Sequence, residues 1–248
     1  MIVLVPGMLC DADLWTDLVA GLPGPVVHAE ITADSIGGMA EQVLSAVEGE
    51  FALVGLSLGA IVGFEVARRA PERLNALCAL STNAGAPSPE QLAGWADLGE
   101  RTRAGGFEEI VGELLPTMFA GSAPHAMRDR FVRMAHRVGP EVFQAQLTAQ
   151  ATRVEAFDAI GALPAPVQAI CGDRDALCPP RFHEDIVRHA APGSSRHVLD
   201  GAGHLLTIER PGVVGALLRN RLSSPGAESP VERTAPIARE KSSTRGER

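Results

Sequence analysis

Phe51-Ala52-Leu53-Val54-Gly55-Leu56-Ser57-Leu58-Gly59 is the stretch on which the fold turns. Its apolar part, up to Leu56, has the unbroken hydrophobicity of a strand buried on both faces. Residues 58–70 then read as a helix, with Pro71 beyond its end. Ser57 therefore stands on a strand-to-helix turn, with glycines two positions to either side. In that context G-x-S-x-G lifts a serine hydroxyl from the carboxyl end of a sheet, on a strained turn where neighbouring backbone must pass close by. The helix that follows presents free N–H groups and a positive dipole end, both favourable beside a developing oxyanion.

Working outward, the same alternation recurs. Residues 2–5, 25–27, 51–56 and 74–80 read as strands, and residues 11–20, 36–48 and 58–70 as the helices between them. Asp11 or Asp13 caps the first helix and Gly21 stops it. A βαβαβαβ order predicts a parallel sheet with right-handed crossovers and helices on both faces. The rhythm breaks after Leu80. Residues 83–89 form a loop, and residues 90–157 read as several helices punctuated by Gly105-Gly106, residues 121–124 and Gly139-Pro140. It resumes with a strand at 167–171, a helix at 180–190, a strand at 196–199 and a helix at 211–222. The expected organisation is a mostly parallel sheet of about six strands, built from residues 1–82 and 161–222. Residues 83–160 form a helical lid. The tail, residues 223–248, is rich in Ser, Pro, Gly, Glu and Arg and reads as disordered.

Composition narrows the function. The chain has 248 residues, 46% hydrophobic and 21% charged, enough for a sizeable core. A net charge of -8 argues against a general nucleic-acid binder, which needs clustered Lys and Arg. Aromatics are 4% with no Tyr, so stacking platforms for bases or sugars are few. Cys10, Cys78, Cys171 and Cys178 form no CxxC pair and no zinc-like spacing, and nothing suggests an oxidising compartment. The longest apolar run, residues 51–64, is shorter than the ~20 residues of a membrane span. The expectation is a soluble cytoplasmic protein with no cofactor and no metal.

A serine hydroxyl needs a base. Of seven histidines, His204 in Gly201-Ala202-Gly203-His204 has the right setting, on a glycine-flanked loop after the last strand. His28 and His197 lie in or beside strands, and His125 and His136 in the lid. His183 and His189 fall on or near a helix and read as solvated. The base in turn needs a carboxylate to fix its tautomer. The loop Gly172-Asp173-Arg174-Asp175 follows a strand directly, and spacing alone leaves Asp173 and Asp175 both open.

The order Ser, Asp, His is that of the α/β-hydrolases. The sequence resembles that fold family over residues 1–222. The matching pieces are Leu4-Val5-Pro6-Gly7-Met8, Gly55-Leu56-Ser57-Leu58-Gly59, Gly172-Asp173-Arg174-Asp175-Ala176-Leu177-Cys178-Pro179, Gly203-His204 and Glu209-Arg210-Pro211. The family's acid loop, Gly-x-x-Asp-x-x-x-Pro, aligns Asp175 with the catalytic acid. The resemblance also implies an oxyanion hole from the backbone N–H groups of Leu58 and Met8. Two departures stand out. Pro6 replaces the usual histidine of the oxyanion loop, and the chain begins on what is commonly the family's third strand. The strand near Val26-Val27 then becomes a sheet edge, which can pair with another chain, so a monomer or a homodimer is expected.

The implied activity is that of a serine hydrolase with the triad Ser57, His204 and Asp175, cleaving a small or medium apolar ester through an acyl-enzyme. The lid carries Trp95, Leu98, Phe107, Leu114, Leu115, Met118, Phe119, Phe131 and Met134, some facing a pocket and more packing on the body. A thioesterase acting on CoA or carrier-protein thioesters is the nearest alternative. For that reading Arg128, Arg130, Arg133 and Arg137 would form a basic lid face, although a solvated helix face is the plainer reading. The same scaffold also supports C–C cleavage and non-hydrolytic steps, and binding without turnover.

Overall fold

In the computed structural model, which describes residues 1–223, six strands form one parallel sheet in the order β2-β1-β3-β4-β5-β6. They are β1 (Ile2–Val5), β2 (Val26–His28), β3 (Phe51–Leu56), β4 (Leu74–Leu80), β5 (Val167–Gly172) and β6 (Ser195–Leu199). Each is parallel to its neighbours. The apolar runs of β1, β3 and β5 are buried at every position. Alternate residues feed two cores. Leu4, Val54 and Leu56 point to one face, and Val3, Val5 and Leu53 to the other. Strand β2 is the edge, as expected.

Among the described residues ten α-helices accompany the sheet: α1 (Thr16–Val19), α2 (Ile36–Ser45), α3 (Leu58–Arg69), α4 (Pro89–Arg103), α5 (Phe107–Leu114), α6 (His125–Ala151), α7 (Phe157–Ala162), α8 (Pro180–His189), α9 (Leu206–Glu209) and α10 (Pro211–Ser223). The helix expected over 11–20 is instead a 3-10 turn, Ala12–Trp15, followed by α1. Asp11 caps that turn by accepting from the Asp13 N–H. Helix α2 ends at Ser45, short of the expected residue 48. Gly139 and Pro140 fall inside α6 as a kink, with Gly139 at φ 74°. Ser223 is the last residue of α10, not the first of a tail. The rest of the expected tail lies outside the described residues.

Residues 83–160 contain no strand. Phe107, Met118, Phe119, Phe131 and Met134 from this segment are buried in the same core as Leu4, Leu56 and Trp15. Trp95, Leu98, Leu114 and Leu115 are partly buried against it. Most of the apolar residues singled out in this segment are therefore packing residues. Among the described residues no helix is long and apolar enough to cross a membrane.

Candidate active site

Three non-glycine residues have positive φ among those described: Leu9 at 60°, Ser57 at 54° and Ser81 at 45°. Each follows a strand, β1, β3 or β4, at its carboxyl end. Strain of this kind costs of order 1–3 kcal/mol per residue and gathers where a site needs it. Ser57 sits at the start of α3 with ψ -113°. A Cβ on Gly59 would lie 2.1 Å from the Val5 carbonyl oxygen, and one on Gly55 would lie 2.5 Å from the Ala60 nitrogen. Both glycines of the motif are thus forced by close backbone approach.

The turn is tied to its surroundings. The Ser57 N–H donates to the Leu80 carbonyl at 2.8 Å. The Thr82 hydroxyl donates to the Ser57 carbonyl at 3.0 Å, and the Thr82 N–H donates to His183 Nε2 at 3.0 Å. His183 is fully buried, not solvated as its place near a helix suggested. It faces inward from the first turn of α8, and the bond from Thr82 requires Nε2 to be unprotonated.

His183 carries a consequence for pH. Burial pushes its imidazole down from 6.5 to about 4. Between those values the unfolded chain binds a proton that the folded chain refuses, so stability falls as pH drops through that window. The offset amounts to about 2 kcal/mol between pH 7 and pH 5. Urea unfolding at the two pH values should show that loss in the wild type and a smaller one in His183→Gln, whose amide oxygen can still accept from Thr82. Equal losses in both proteins would contradict the assignment.

The structure brings Asp175 and His204 together. His204 Nδ1 lies 3.1 and 3.0 Å from the two carboxylate oxygens of Asp175, with both residues buried. Asp175 Oδ1 also accepts from the N–H groups of Leu177 and Cys178, each at 2.9 Å. Burial alone would raise this carboxyl. The His204 bond and charge and the two N–H donors outweigh burial and hold it below the usual carboxylate range. Asp173 has a different place. It is exposed, and its Oδ1 accepts from the Gly201 N–H at 2.7 Å, bracing the loop that carries His204. A Cβ on Gly172 would fall 2.0 Å from the Ala202 carbonyl oxygen, so the acid loop and the histidine loop pack backbone to backbone. Ser57 Oγ makes no hydrogen bond to His204 among the described residues. Such contacts are commonly long without substrate and tighten in the complex.

The loop after β1 lies against the elbow. A Cβ on Gly7 would sit 3.6 Å from the Ser57 Cβ. Its turn is closed by the Cys10 N–H on the Gly7 carbonyl, at 3.1 Å. The left-handed Leu9 is held by its N–H on Gln146 Oε1, at 3.1 Å. Gln146 belongs to α6, 137 residues away, and is buried, so the brace that Pro6 cannot supply comes from the helical segment. Met8 lies between these two fixed points. Leu58, as the first residue of α3, has no intrahelical acceptor for its N–H. A cavity of about 1050 Å³ adjoins this loop, with Pro6, Cys10 and Gln146 in its wall.

Glu209 closes the site from the other side. Its carboxylate accepts from the Ala120 and Gly203 N–H groups, both at 2.8 Å, joining the helical segment to the histidine loop. Sequence reading missed Gln146, His183 and Thr82. Thr82 follows β4 at the carboxyl edge of the sheet, a position that could have marked it. Gln146 has no local signal, because its role rests on a contact distant in sequence.

Asp175, Cys178 and His204 present ligand atoms within 4.8 Å of one another. As a metal set they fit poorly. The carboxylate is already saturated by His204 and two N–H groups, and burial pushes the Cys178 thiol upward, away from the thiolate a metal requires. The basic lid face considered for the thioesterase alternative is only partly available, and Arg128 and Arg133 are exposed, in line with the plainer reading of a solvated helix face. Arg130 pairs with Asp13 and Asp17, and Arg137 with Asp11 and Asp13, so two of the four arginines pin α6 to the 11–17 segment.

The model of the alpha/beta hydrolase fold family matches residues 29–211. A pimeloyl-[acyl-carrier protein] methyl ester esterase of Neisseria meningitidis is 26% identical over 237 residues, covering 88% of this chain and 91% of that protein. A putative carbamate hydrolase RutD of Escherichia coli is 28% identical over 192 residues, or 70% of this chain, and the match spans 66% of that relative's length. The structure of a thermophilic esterase from Thermogutta terrifontis has a TM-score of 0.79 at 27% identity, with 90% of this chain and 89% of that one covered. With the family model matching well over half its length, the chain belongs to the alpha/beta hydrolase fold family of enzymes.

Proposed function

We propose that this enzyme hydrolyses carboxylic esters of small or medium apolar acids through an acyl-enzyme on Ser57. His204 takes the Ser57 proton as the hydroxyl attacks the carbonyl, and returns it to the leaving alcohol. Asp175 fixes the His204 tautomer and stabilises the imidazolium. The N–H groups of Leu58 and Met8 hold the oxyanion, each donor worth about 3 kcal/mol in the transition state. Water, deprotonated by His204, then cleaves the acyl-enzyme. The observation that carries this reading is the buried Asp175–His204 pair, held on two loops that pack backbone to backbone, in a chain that also holds Ser57 on a strained strand-to-helix turn.

Ester is preferred to thioester because the lid's basic face is reduced by the pairing of Arg130 and Arg137. The similarity to a methyl ester esterase and to a thermophilic esterase supports the same choice. We place the enzyme in the cytoplasm, acting on a small-molecule substrate without nucleic acid or membrane. Its four cysteines are all free thiols, as suits a reducing compartment. The test is a matched series of p-nitrophenyl esters and acyl-CoA thioesters with two to twelve acyl carbons. The highest kcat/KM should fall on short or medium esters. A preference for thioesters at every length, or no turnover of either by folded protein, would overturn the assignment.

A further inference from the structure

The Leu58 N–H shares a planar peptide unit with the Ser57 carbonyl, and across a trans peptide the two groups point in opposite directions. Whatever fixes the carbonyl therefore aims the N–H. That carbonyl accepts from the Ala60 and Ile61 N–H groups, both at 3.1 Å, which belong to the first turn of α3. It also accepts from the Thr82 hydroxyl at 3.0 Å. Among the described residues Thr82 is its one donor from outside the elbow. This bond ties the peptide plane to the end of β4.

Thr82 is itself held. Ser81 before it is left-handed at φ 45°, and the Ser81 N–H donates to the Ile170 carbonyl of β5 at 2.9 Å. The Thr82 N–H then donates to His183 Nε2 at 3.0 Å. Thr82 and His183 are both fully buried, so water does not compete for these bonds. Burial also keeps the His183 ring uncharged at neutral pH, and Nε2 stays an acceptor. Helix α8, which carries His183, starts directly after Pro179 at the end of the acid loop. The relay from His183 through Thr82 to Ser57 thus joins the acid side of the site to the elbow. Packing alone does not call for a hydroxyl at position 82, since valine has the same branched shape.

We propose that Thr82 is a positioning residue for the Leu58 oxyanion donor, its hydroxyl fixing the shared peptide plane and His183 fixing Thr82. Donation into the Ser57 carbonyl also polarises that amide and strengthens its N–H as a donor. The inference rests on the reading of Ser57 as the nucleophile and Leu58 as an oxyanion donor.

Kinetics with p-nitrophenyl butyrate, beside inhibition by an alkyl trifluoromethyl ketone, test it. Ser57 Oγ adds to the ketone carbonyl carbon, its proton passes to His204, and the carbonyl oxygen takes the negative charge that the oxyanion hole must hold. Thr82→Val should lower kcat about tenfold and weaken the ketone by a similar factor, with KM within about twofold of wild type. Thr82→Ser, which keeps the hydroxyl, should recover most of both losses. His183→Leu should show the same split as Thr82→Val, and His183→Gln, which can still accept from the Thr82 N–H, a smaller one. Wild-type kcat and ketone affinity in Thr82→Val, a loss confined to KM or to stability, or a Thr82→Ser as impaired as Thr82→Val would overturn the inference. A folded wild type that neither turns over the ester nor binds the ketone would overturn the hydrolase reading, and this inference with it.

Discussion

Ser57→Ala is expected to lower kcat for ester hydrolysis by about 10⁵ to 10⁶, the scale on which triads lose activity without their nucleophile. KM should change little, because the side chain removed is small and binding rests on other walls. The effect should not reach stability. Among the described residues Ser57 forms its hydrogen bonds through its backbone, to Leu80, Thr82, Ala60 and Ile61, and alanine keeps all of them. The left-handed turn is set by the close packing around Gly55 and Gly59 and not by the hydroxyl. Steady-state kinetics beside urea unfolding would check both halves. A variant with more than about a hundredth of wild-type kcat would point to proton-transfer chemistry without an acyl-enzyme.

Asp175→Asn should cost about 10⁴ in kcat with the fold intact. The amide oxygen can still accept from the Leu177 and Cys178 N–H groups, so the loop keeps its shape. Its NH₂ then faces His204 Nδ1 and selects the tautomer that carries the proton on Nε2. The base is thereby blocked towards Ser57. Asp173→Asn is the control. Asp173 is exposed and holds the Gly201 N–H, a bond its amide oxygen can replace, so kcat should stay near wild type. Kinetics of the two variants distinguish the acids directly. A larger loss at Asp173 than at Asp175 would reverse their roles.

The sequence disclosed the fold where periodicity and breaks in it were strong. The runs at β1 and β3 are continuous because a parallel sheet buries both faces, those at β4 and β5 are interrupted only by Asn75 and Gln168, and all four read as strands. The elbow was legible because both of its glycines answer to close backbone approach, Gly55 to Gly59 and Ala60 within the strand–turn–helix unit and Gly59 to Val5 and Pro6 of the neighbouring strand and its loop. The competition between Asp173 and Asp175 was not legible from spacing. Both lie on one loop, and only the folded chain turns one towards His204 and the other towards Gly201. Long-range braces were invisible for the same reason. Gln146 on Leu9, Glu209 on Ala120 and His183 on Thr82 join segments far apart in the chain. His183 shows the limit plainly. Its place on a short amphipathic helix suggested a wet face, yet it lies on the α8 face turned to the sheet and accepts a backbone N–H there.

An activated serine at the end of β3 should react with a fluorophosphonate, and intact-mass analysis after treatment reads that reaction. The reagent needs a deprotonatable hydroxyl, a base and an oxyanion hole, and it needs no knowledge of the natural substrate. One adduct is expected on the wild type and none on Ser57→Ala. An adduct that persists on Ser57→Ala, or a folded wild type that takes none, would contradict that expectation.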